Sequence, residues 1–525
     1  MTASAIWRSI PHLLEDAVER HGTALAVVEG DLRLSYAGLG EQVQRAARGL
    51  RAHGVQPGDR VAIWAPNGWR WIVAALATQS LGAAIVPLNT RFRADEAGYI
   101  VGRARPKVVF VHRHFLDTDY EAMLTQGCTG LQYEVVSLDD VPLDKGISWS
   151  QLVADGESVS PEEVTAIARA VKADDVCDVM FTSGTTGHPK GVVGRHGQVL
   201  RAFHDFGRLG GFRQGDRLML VNPFFHALGY KLGWLLSILM GAVTYPMAVF
   251  DPKQVLSLVE RERITILPGP PTIYFALLAE PGLSQTDLSS LRACVTGSTT
   301  LPPALIDRIR VTFGFETMLT GYGLTECSGL ATMTRPGDET RILCETSGRA
   351  IPDCEVAIFS TDGRQLPAGE SGEIRVRGYV VMDSYFEDPE ATTSTLTPDG
   401  WLLTGDLGSL DEQGNLRIVG RLKDMYIAGG FNAYPAEIEN MLLQHEDVAE
   451  VSVIGIPDER LGEVGLAFVV RRAAADPTEA DLIEWARGRM ANYKVPRVVR
   501  FVDELPKNGS GKVLKTRLRE IAAEH

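Results

Sequence analysis

A run of ten residues at positions 182–191 has the composition of a loop that holds phosphate. Its three glycines let backbone N–H groups turn toward an anion, its hydroxyl side chains add donors, and Lys190 adds positive charge. The run is Thr182, Ser183, Gly184, Thr185, Thr186, Gly187, His188, Pro189, Lys190 and Gly191. It is not a Walker A loop, because the ending Gly-Lys-Ser or Gly-Lys-Thr is absent. The sequence therefore predicts a phosphate site of a different nucleotide-binding fold.

At this loop the sequence resembles the superfamily of acyl-CoA synthetases, nonribosomal peptide synthetase adenylation domains and luciferases. The family signature, [Ser/Thr]-Ser-Gly-Thr-Thr-Gly-x-Pro-Lys-Gly, is matched completely, and the other family motifs follow in the family's order. The resemblance implies that ATP and Mg²⁺ activate a small-molecule carboxylate as its acyl-AMP, and that the acyl group then passes to coenzyme A. It assigns ATP contacts to Thr182, Ser183, Gly184, Thr186, Gly187 and Lys190, and a catalytic role to Thr185.

Residues 321–326 resemble the family segment that packs on adenine, places a Thr hydroxyl near the α-phosphate and offers a Glu to Mg²⁺. The resemblance assigns nucleotide contacts to Gly321, Tyr322, Gly323 and Thr325. It assigns the metal, and a catalytic role, to Glu326. One carboxylate is enough, because Mg²⁺ commonly takes one or two carboxylates and completes its shell with phosphate and water.

Upstream of this segment, Gly297 and Ser298 stand where the family passes along the nucleotide and the acyl carboxylate. Downstream, the resemblance has Asp406 and Arg421 contact the ribose hydroxyls. Lys512, in a Gly-rich setting near the C-terminus, resembles the family's catalytic lysine, which stabilises negative charge between the carboxylate and the α-phosphate.

Adenylation needs Lys512 at the phosphate, whereas thioester formation needs it replaced by a thiol. The family rotates its C-terminal domain between the two steps. The resemblance places the hinge at Lys423. It places Gly429 and Gly430 beside the pantetheine arm of coenzyme A after the rotation.

The acyl pocket is less well defined by the resemblance. His226 stands at an aromatic or His gate, and we expect it to act as a gate and not as an acid or base. Tyr230 and Lys231 lie on an apolar segment expected to form the pocket wall, and Gly323 and Cys327 are expected to line it as well. A buried Lys231 would need a partner, such as a polar atom of the substrate.

The elements that position these residues follow a clear order. From about residue 60, short apolar runs, among them residues 264–269, alternate with helical patterns, which predicts parallel strands with crossover helices. Short strands with frequent turns follow between about 345 and 420, where Asp362-Gly363 between two strand runs predicts a hairpin turn. A compact α+β pattern follows that. We therefore expect an α/β fold with two domains. The first, 1–420, would hold two mostly parallel sheets with flanking helices and a small β-rich subdomain, and the second, 421–525, would be a small mobile α+β lid.

Within this order, the sequences at 87–92, 224–231 and 429–439 most resemble those of actinobacterial fatty-acyl-CoA ligase paralogues, including ligases for ring-remnant propionates from steroid breakdown. The stretch 232–249 is uncharged and long enough to span a bilayer. Gly241 and Pro246 interrupt it, so a buried helix followed by a buried strand is favoured.

The composition limits the partners. A net charge of -14 opposes broad attraction to nucleic acid or anionic membranes. Six cysteines without C-x-x-C spacing fit a reduced cytoplasm, without disulfides or zinc. The N-terminus lacks the pattern of a signal peptide. We expect neither nucleic-acid binding nor membrane insertion, and a homodimer is left open.

Three other functions stay open from the sequence. One is an adenylating enzyme that loads a separate carrier protein, and another activates a small oxyacid such as nitrite for transfer to an amine. The third is a nucleotide sensor without turnover, which would predict loss of Lys512 or Glu326. Both residues are present.

Overall fold

The protein is described here by a computed structural model. It describes residues 8–182, 189–297, 303–428, 431–473, 475–507 and 513–524. The chain forms two compact units, Met1–Val356 with Val376–Leu402, and Ala357–Arg375 with Leu403–His525. The boundary predicted at 420/421 and the hinge at Lys423 stay predictions.

The helices alternate with strands along most of the chain. A π-helical segment, Tyr230–Leu235, lies between the ninth and tenth helices. The helices are α1 Ile10–His21, α2 Tyr36–Ala52, α3 Trp69–Ser80, α4 Ala94–Ala104, α5 Tyr120–Gly127, α6 Trp149–Asp155, α7 Pro161–Ala170, α8 His196–Leu209, α9 Ala227–Gly229, α10 Leu236–Met240, α11 Pro252–Glu262, α12 Pro271–Leu278, α13 Pro303–Phe313, α14 Thr340–Glu345, α15 Pro389–Thr395, α16 Pro435–Leu442, α17 Glu479–Arg487 and α18 Lys515–Ala523.

The strands are short in the first unit and longer in the second. They are β1 Leu25–Glu29, β2 Leu32–Ser35, β3 Arg60–Trp64, β4 Ala84–Pro87, β5 Val108–Val111, β6 His114–Phe115, β7 Thr118–Asp119, β8 Glu134–Ser137, β9 Ile147–Ser148, β10 Val176–Thr182, β11 Lys190–Arg195, β12 Arg217–Leu220, β13 Val243–Pro246, β14 Ala293–Val295, β15 Thr317–Leu319, β16 Gly321–Tyr322, β17 Thr332–Met333, β18 Arg349–Ala350, β19 Cys354–Phe359, β20 Gly372–Gly378, β21 Leu402–Leu410, β22 Leu416–Arg421, β23 Tyr426–Ala428, β24 Phe431–Ala433, β25 Val448–Asp458, β26 Gly462–Arg471 and β27 Val498–Phe501.

Two mostly parallel sheets form the body of the first unit. One has the order β11-β10-β4-β3-β5-β8-β9, in which β10 and β11 form the antiparallel pair. The other has the order β12-β13-β1-β2, and Ile266 bridges β12 to β14, which pairs with β15. Central strands such as β4 and β5 are apolar and completely buried, as expected for sheets covered on both faces. The predicted pair of mostly parallel sheets is confirmed.

One predicted strand, residues 264–269, is reduced to a single bridging residue. Leu267 and Gly269 still donate backbone hydrogen bonds to Ala293 and Val295 on β14. Pro268 between them has no N–H, so a ladder would lose a hydrogen bond at this residue. The segment therefore lies between β12 and β14 without forming a regular strand.

The stretch 232–249 contains α10 and β13, so the predicted succession of helix and strand is confirmed. Gly241 ends the helix in the left-handed conformation, at φ 67°. Among the helices that the structure describes, none is long and apolar enough to cross a membrane.

The second unit is α+β. Its largest sheet has the order β24-β23-β26-β25, with β27 beside β26, and α16 and α17 contribute to the core on this sheet. A further sheet, in the order β19-β20-β21-β22, is built largely from this unit. The turn predicted at Asp362-Gly363 follows β19, and Gly363 takes φ 83°, which favours glycine.

A buried histidine joins the first described helix to the sheet that carries the phosphate loop. His196 opens α8, directly after β11, and is completely buried. Its Nδ1 accepts a hydrogen bond from the backbone N–H of Ile10, at 3.2 Å. Burial lowers the pKa of this imidazole from 6.5 to about 3. The ring is therefore neutral at physiological pH, as the accepting role of Nδ1 requires.

We predict that His196 makes stability fall with acidity. Because its folded pKa lies below its unfolded pKa, the unfolded chain binds a proton that the folded chain does not. Its contribution is complete above pH 6.5 and is lost as the pH falls toward the folded pKa of about 3. Between pH 6.5 and about 5, the free energy of unfolding should fall by about 1 kcal/mol per pH unit more in the wild type than in His196→Asn.

Urea unfolding across this pH range measures the difference. Asn keeps an acceptor near the position of Nδ1 but does not titrate. His114→Asn, in an exposed pair with Asp119, is the matched control and should keep the wild-type slope. Equal slopes for the wild type and His196→Asn would contradict the prediction.

Candidate active site

The β10–β11 pair, called the phosphate hairpin, holds the two described ends of the predicted phosphate loop. Thr182 and Lys190 face each other as a register pair at the end of this hairpin. The predicted ATP contacts and catalytic group between them lie outside the described residues: Ser183, Gly184, Thr185, Thr186 and Gly187. The hairpin thus delivers the loop from the carboxyl end of a strand in a mostly parallel sheet, where α/β folds commonly bind ligands.

The segment with the predicted metal ligand is folded tightly on itself. Glu326 lies in a 3-10 turn, Thr325–Cys327, and is half-buried. A Cβ at Gly323 would lie 2.4 Å from the backbone of Gly329, and one at Gly321 would lie 2.7 Å from the oxygen of Thr332. The two glycines are therefore needed for the packing of the segment itself, whatever they contact in a ligand. Tyr322, the residue predicted to pack on adenine, is 7% exposed.

Tyr385 connects the predicted metal ligand to the predicted phosphate lysine. Its phenol O–H donates to Oε1 of Glu326 at 2.9 Å, and Nζ of Lys190 lies 5.2 Å from the centre of its ring. Burial and the Glu326 carboxylate raise the pKa of this phenol, so it stays a donor at neutral pH. The backbone holds the contact in place, because Met382 N–H donates to the oxygen of Glu326 and Tyr385 bridges Val192 on β11.

Sequence reasoning did not single out Tyr385. The only signal was its place in a turn-rich segment after β20, where an aromatic residue could equally have been part of the core. The structure thus brings Lys190 and Glu326, separated by more than a hundred positions, into one connected cluster.

The strand ends near Gly297 support the same cluster. Gly297 follows β14, Thr320 and Gly321 follow β15, and these strands are parallel neighbours. A Cβ at Gly297 would lie 3.3 Å from Oγ1 of Thr320 and 4.0 Å from the oxygen of Gly321. Two of the predicted nucleotide segments therefore meet at one sheet edge. Ser298 lies outside the described residues.

Next to Gly297, the buried hydroxyl of Thr296 has no hydrogen-bond partner among the described residues. A buried hydroxyl without a partner is costly, and a polar ligand at this edge would satisfy it.

The residues present fit a magnesium nucleotide. Within the described part of the chain, no group of three or more His, Cys, Asp or Glu side chains could hold a metal ion. Glu326 is a single carboxylate already oriented by a hydrogen bond, and Lys190 is a cation on the same aromatic ring. That donor set suits a cation that takes one protein carboxylate and obtains its other ligands from phosphate and water.

In the second unit, the predicted ribose contacts are neighbours. Asp406 and Arg421 are a register pair of β21 and β22, and Nε of Arg421 lies 3.1 Å from Oδ1 of Asp406. Asp406 is 5% exposed, and its backbone N–H donates to Oγ1 of Thr404. Gly405 between them takes φ 67°, which turns the strand at this motif. Lys423, the predicted hinge, is exposed on a 3-10 turn.

The segment around the predicted catalytic lysine is closed by a short bridge. Lys507 and Val513 form an isolated antiparallel bridge, and Leu514 N–H donates to the oxygen of Pro506. Lys512 lies between the bridging residues, outside the described residues, as do Gly429 and Gly430.

His226, the predicted gate, has a side chain that solvent reaches although protein atoms surround it. Its side chain is exposed, yet burial within the surrounding protein lowers the pKa of its imidazole. These properties fit a side chain that lines a concavity. Its Nδ1 accepts a hydrogen bond from the N–H of Leu228 at 3.3 Å, which caps α9. This contact needs a neutral ring, in agreement with a gate that does not transfer protons.

The two residues predicted for the pocket wall are completely occupied by protein partners. Tyr230 is 0% exposed and its O–H accepts from Nε2 of Gln79 at 2.8 Å. Lys231 is 1% exposed, and its partner is Asp178 on β10, at 3.2 Å. The sequence analysis anticipated that a buried Lys231 needs a partner but did not identify Asp178. The available signal was a charged residue in an otherwise apolar strand.

Cys327, also predicted for the pocket, is completely buried. Its Sγ accepts from the N–H of Leu324 at 3.1 Å and lies 3.3 Å from the Leu324 oxygen. The thiol thus shapes the turn that carries Glu326. Contact between substrate and Tyr230, Lys231, Gly323 or Cys327 stays a prediction.

Comparisons with known proteins agree with this geometry. Residues 14–386 match the model of the AMP-binding enzyme family, and residues 437–512 match the model of the AMP-binding enzyme C-terminal domain. A Mycobacterium tuberculosis protein named 3-[(3aS,4S,7aS)-7a-methyl-1,5-dioxo-octahydro-1H-inden-4-yl]propanoyl:CoA ligase is 46% identical, over 98% of this chain and 99% of its own. A Rhodococcus jostii protein of the same name is 44% identical, over 97% and 98%. The crystal structure of ATP-bound MatB from Rhodopseudomonas palustris is 30% identical with a TM-score of 0.84, and the match covers 98% of each chain.

We predict that Tyr385 tunes metal use. Tyr385→Phe removes the hydrogen bond to Glu326 but keeps the ring beside Lys190. The Mg²⁺ concentration for half-maximal ATP–pyrophosphate exchange should rise about tenfold, as is typical when a group that orients a metal ligand is lost. Magnesium titration of the exchange rate, together with the melting temperature, measures the effect.

Tyr379→Phe is the matched control, because its O–H donates to Oδ2 of Asp205 at 3.0 Å, away from Glu326. It should lower the melting temperature without changing the Mg²⁺ requirement. An unchanged requirement in Tyr385→Phe would show that Tyr385 does not orient the metal ligand.

Proposed function

The chain belongs to the AMP-binding enzyme family and is an ATP-dependent, AMP-forming acyl-CoA ligase, and from that premise we propose that its substrate is a propanoic acid carried on a fused bicyclic ketone. The support is the full-length similarity to two ligases named for such an acid. Their identity to this chain extends over both units, so it includes the parts that would form an acyl pocket. ATP and coenzyme A are the cosubstrates, and Mg²⁺ is the metal.

The observation that carries the reaction assignment is the cluster of Lys190, Tyr385 and Glu326. It offers a cation and an oriented carboxylate at the end of the phosphate hairpin. Magnesium, when bound, neutralises charge on the phosphates. We assign Glu326 to hold it, and Lys190 to bind the phosphates that leave as pyrophosphate.

The remaining roles follow the family pattern. Asp406 would accept hydrogen bonds from the ribose hydroxyls, and Arg421, paired to it, would hold its carboxylate in place. Lys512 would lie between the carboxylate and the α-phosphate and stabilise the charge that develops there. His226, whose imidazole pKa is lowered by the surrounding protein so that the ring is neutral, would cover the acyl group.

We further propose that residues 421–525 rotate about Lys423 between the two half-reactions. After adenylation, Lys512 would leave the site and Gly429 and Gly430 would admit the pantetheine arm of coenzyme A. Two side-chain-free positions in sequence leave the backbone room for a narrow ligand.

Two other properties complete the proposal. The six cysteines are free and buried, which suits a reducing compartment, so we propose the cytoplasm. The sequence leaves a homodimer open. Cell fractionation and light scattering test these two points separately from the chemistry.

The substrate test is a panel of acids with purified enzyme. Release of AMP and pyrophosphate is measured with aliphatic, aryl and bicyclic propanoic acids and with nitrite, each with and without coenzyme A. We predict the highest kcat/KM for the bicyclic ketone propanoic acid, with a thioester as product. Turnover with nitrite alone, or thioester formation only with acids that lack the bicyclic ring, would contradict the substrate assignment.

The catalytic lysine has its own prediction. Lys512→Ala should lower the adenylation rate by about a hundredfold or more, because a preorganised charge at the reacting phosphate is lost. Lys507→Ala, which removes an exposed ion pair with Glu450 in the same segment, should keep the wild-type rate. Equal rates for the two variants would remove Lys512 from the mechanism. Transfer to a carrier protein or an amine, with no thioester, would change the acceptor.

A further inference from the structure

A buried ion pair joins the phosphate hairpin to the π-helical segment. Nζ of Lys231 lies 3.2 Å from Oδ2 and 3.3 Å from Oδ1 of Asp178, and each residue is 1% exposed. Two charges taken out of water gain little net stability, and apolar residues of similar volume often replace such a pair without loss. Net stability therefore does not explain the pair, and the elements that it positions are a better explanation.

Asp178 contacts the phosphate hairpin close to the end that carries the predicted phosphate loop. Asp178 is the register partner of Gly194, four positions from the pair of Thr182 and Lys190. A Cβ at Gly194 would lie 2.4 Å from Oδ1 of Asp178. The carboxylate thus lies against both strands of the hairpin, and its position fixes the hairpin as a unit.

Lys231, the other member of the pair, belongs to the segment that follows the predicted gate. Lys231 belongs to the π-helical turn, Tyr230–Leu235, in which Gly233 has non-helical torsions. π-helical turns are rare and are found often at functional sites. This turn continues α9, whose cap is His226, and residues 226–235 together are called the gate segment. A shift of Lys231 would therefore move the gate.

A third contact closes a ring of elements. Ala227 on α9 packs behind the turn that carries Glu326, since a Cβ at Gly329 would lie 3.0 Å from the Cβ of Ala227. Glu326 is joined through Tyr385 to the hairpin. The hairpin, the metal-ligand turn and the gate segment thus each contact the other two, and these three contacts form a closed circuit. The contact between the hairpin and the gate segment is a fully buried ion pair.

We propose that Asp178 and Lys231 are positioning residues that set the phosphate hairpin against the gate segment, and so align the bound carboxylate with the α-phosphate. Neither residue touches the reacting atoms. This inference rests on the proposed function, because it needs a carboxylate and a nucleotide bound on the two elements. If the two side chains only filled space, their volume would be enough. The inference requires the attraction between their charges as well.

The test separates charge from volume. Lys231→Met leaves Asp178 buried without a partner and should lower the melting temperature. The double variant Asp178→Asn with Lys231→Met removes both charges at nearly constant volume, and should regain much of the melting temperature. Arg292→Met is the matched control, because Arg292 donates from Nε to the buried Asp216 at 2.9 Å, another ion pair of the first unit, outside this circuit.

Each variant is assayed by ATP–pyrophosphate exchange well below its melting temperature. We expect kcat to fall at least about tenfold in both Lys231→Met and the double variant, since a misplacement of about 1 Å can cost a hundredfold. The KM for ATP should change less than kcat. Arg292→Met should lose melting temperature and keep kcat.

Recovery of kcat together with the melting temperature in the double variant would overturn the inference, because volume alone would then suffice. The same conclusion follows if Arg292→Met loses kcat as Lys231→Met does. If Lys231→Met does not fold, the double variant alone decides. Wild-type enzyme is assayed in parallel. If it shows no exchange with any carboxylate, the proposed function is contradicted as well. If it shows normal exchange and the double variant is unaffected, only the positioning role is contradicted.

Discussion

Joining a carboxylate to the α-phosphate of ATP forces two anions together, and this repulsion is the constraint that the site must overcome. The chain as a whole carries a net charge of -14 and makes the problem harder. Positive charge therefore has to be delivered locally and held still. The cluster of Lys190, Tyr385 and Glu326 would do this with one cation beside an aromatic ring and one oriented carboxylate to hold Mg²⁺.

The fold supplies the rigidity that such a cluster needs. The phosphate hairpin lies at the edge of a mostly parallel sheet, and the predicted nucleotide segments follow two neighbouring strands of the second sheet. Glycines at 321 and 323 let the backbone pack within distances that no side chain would permit. A buried ion pair then ties the hairpin to the gate segment. Preorganised groups of this kind stabilise developing charge without paying for reorganisation during the reaction.

Much of this could be predicted from the sequence, because the loop at 182–191 and the apolar strand runs are local signals. Long-range partners gave no such signal. Tyr385 and Asp178 contact residues far along the chain. Asp178 stands out locally only as a charged residue in an apolar strand, and nothing near Tyr385 distinguishes it from a core residue. The strand predicted at 264–269 was wrong as a regular strand, since Pro268 interrupts the ladder. The roles of Lys512 and the acyl pocket remain predictions.

The most direct test of acyl-AMP formation follows the oxygen atoms. The carboxylate that the enzyme turns over is labelled with oxygen-18 in both positions, and the AMP and the thioester are weighed by mass spectrometry. If the carboxylate attacks the α-phosphate, one labelled oxygen leaves with AMP and the other stays in the thioester. AMP without label would contradict the account, because the carboxyl oxygen would then never have been bonded to the phosphate.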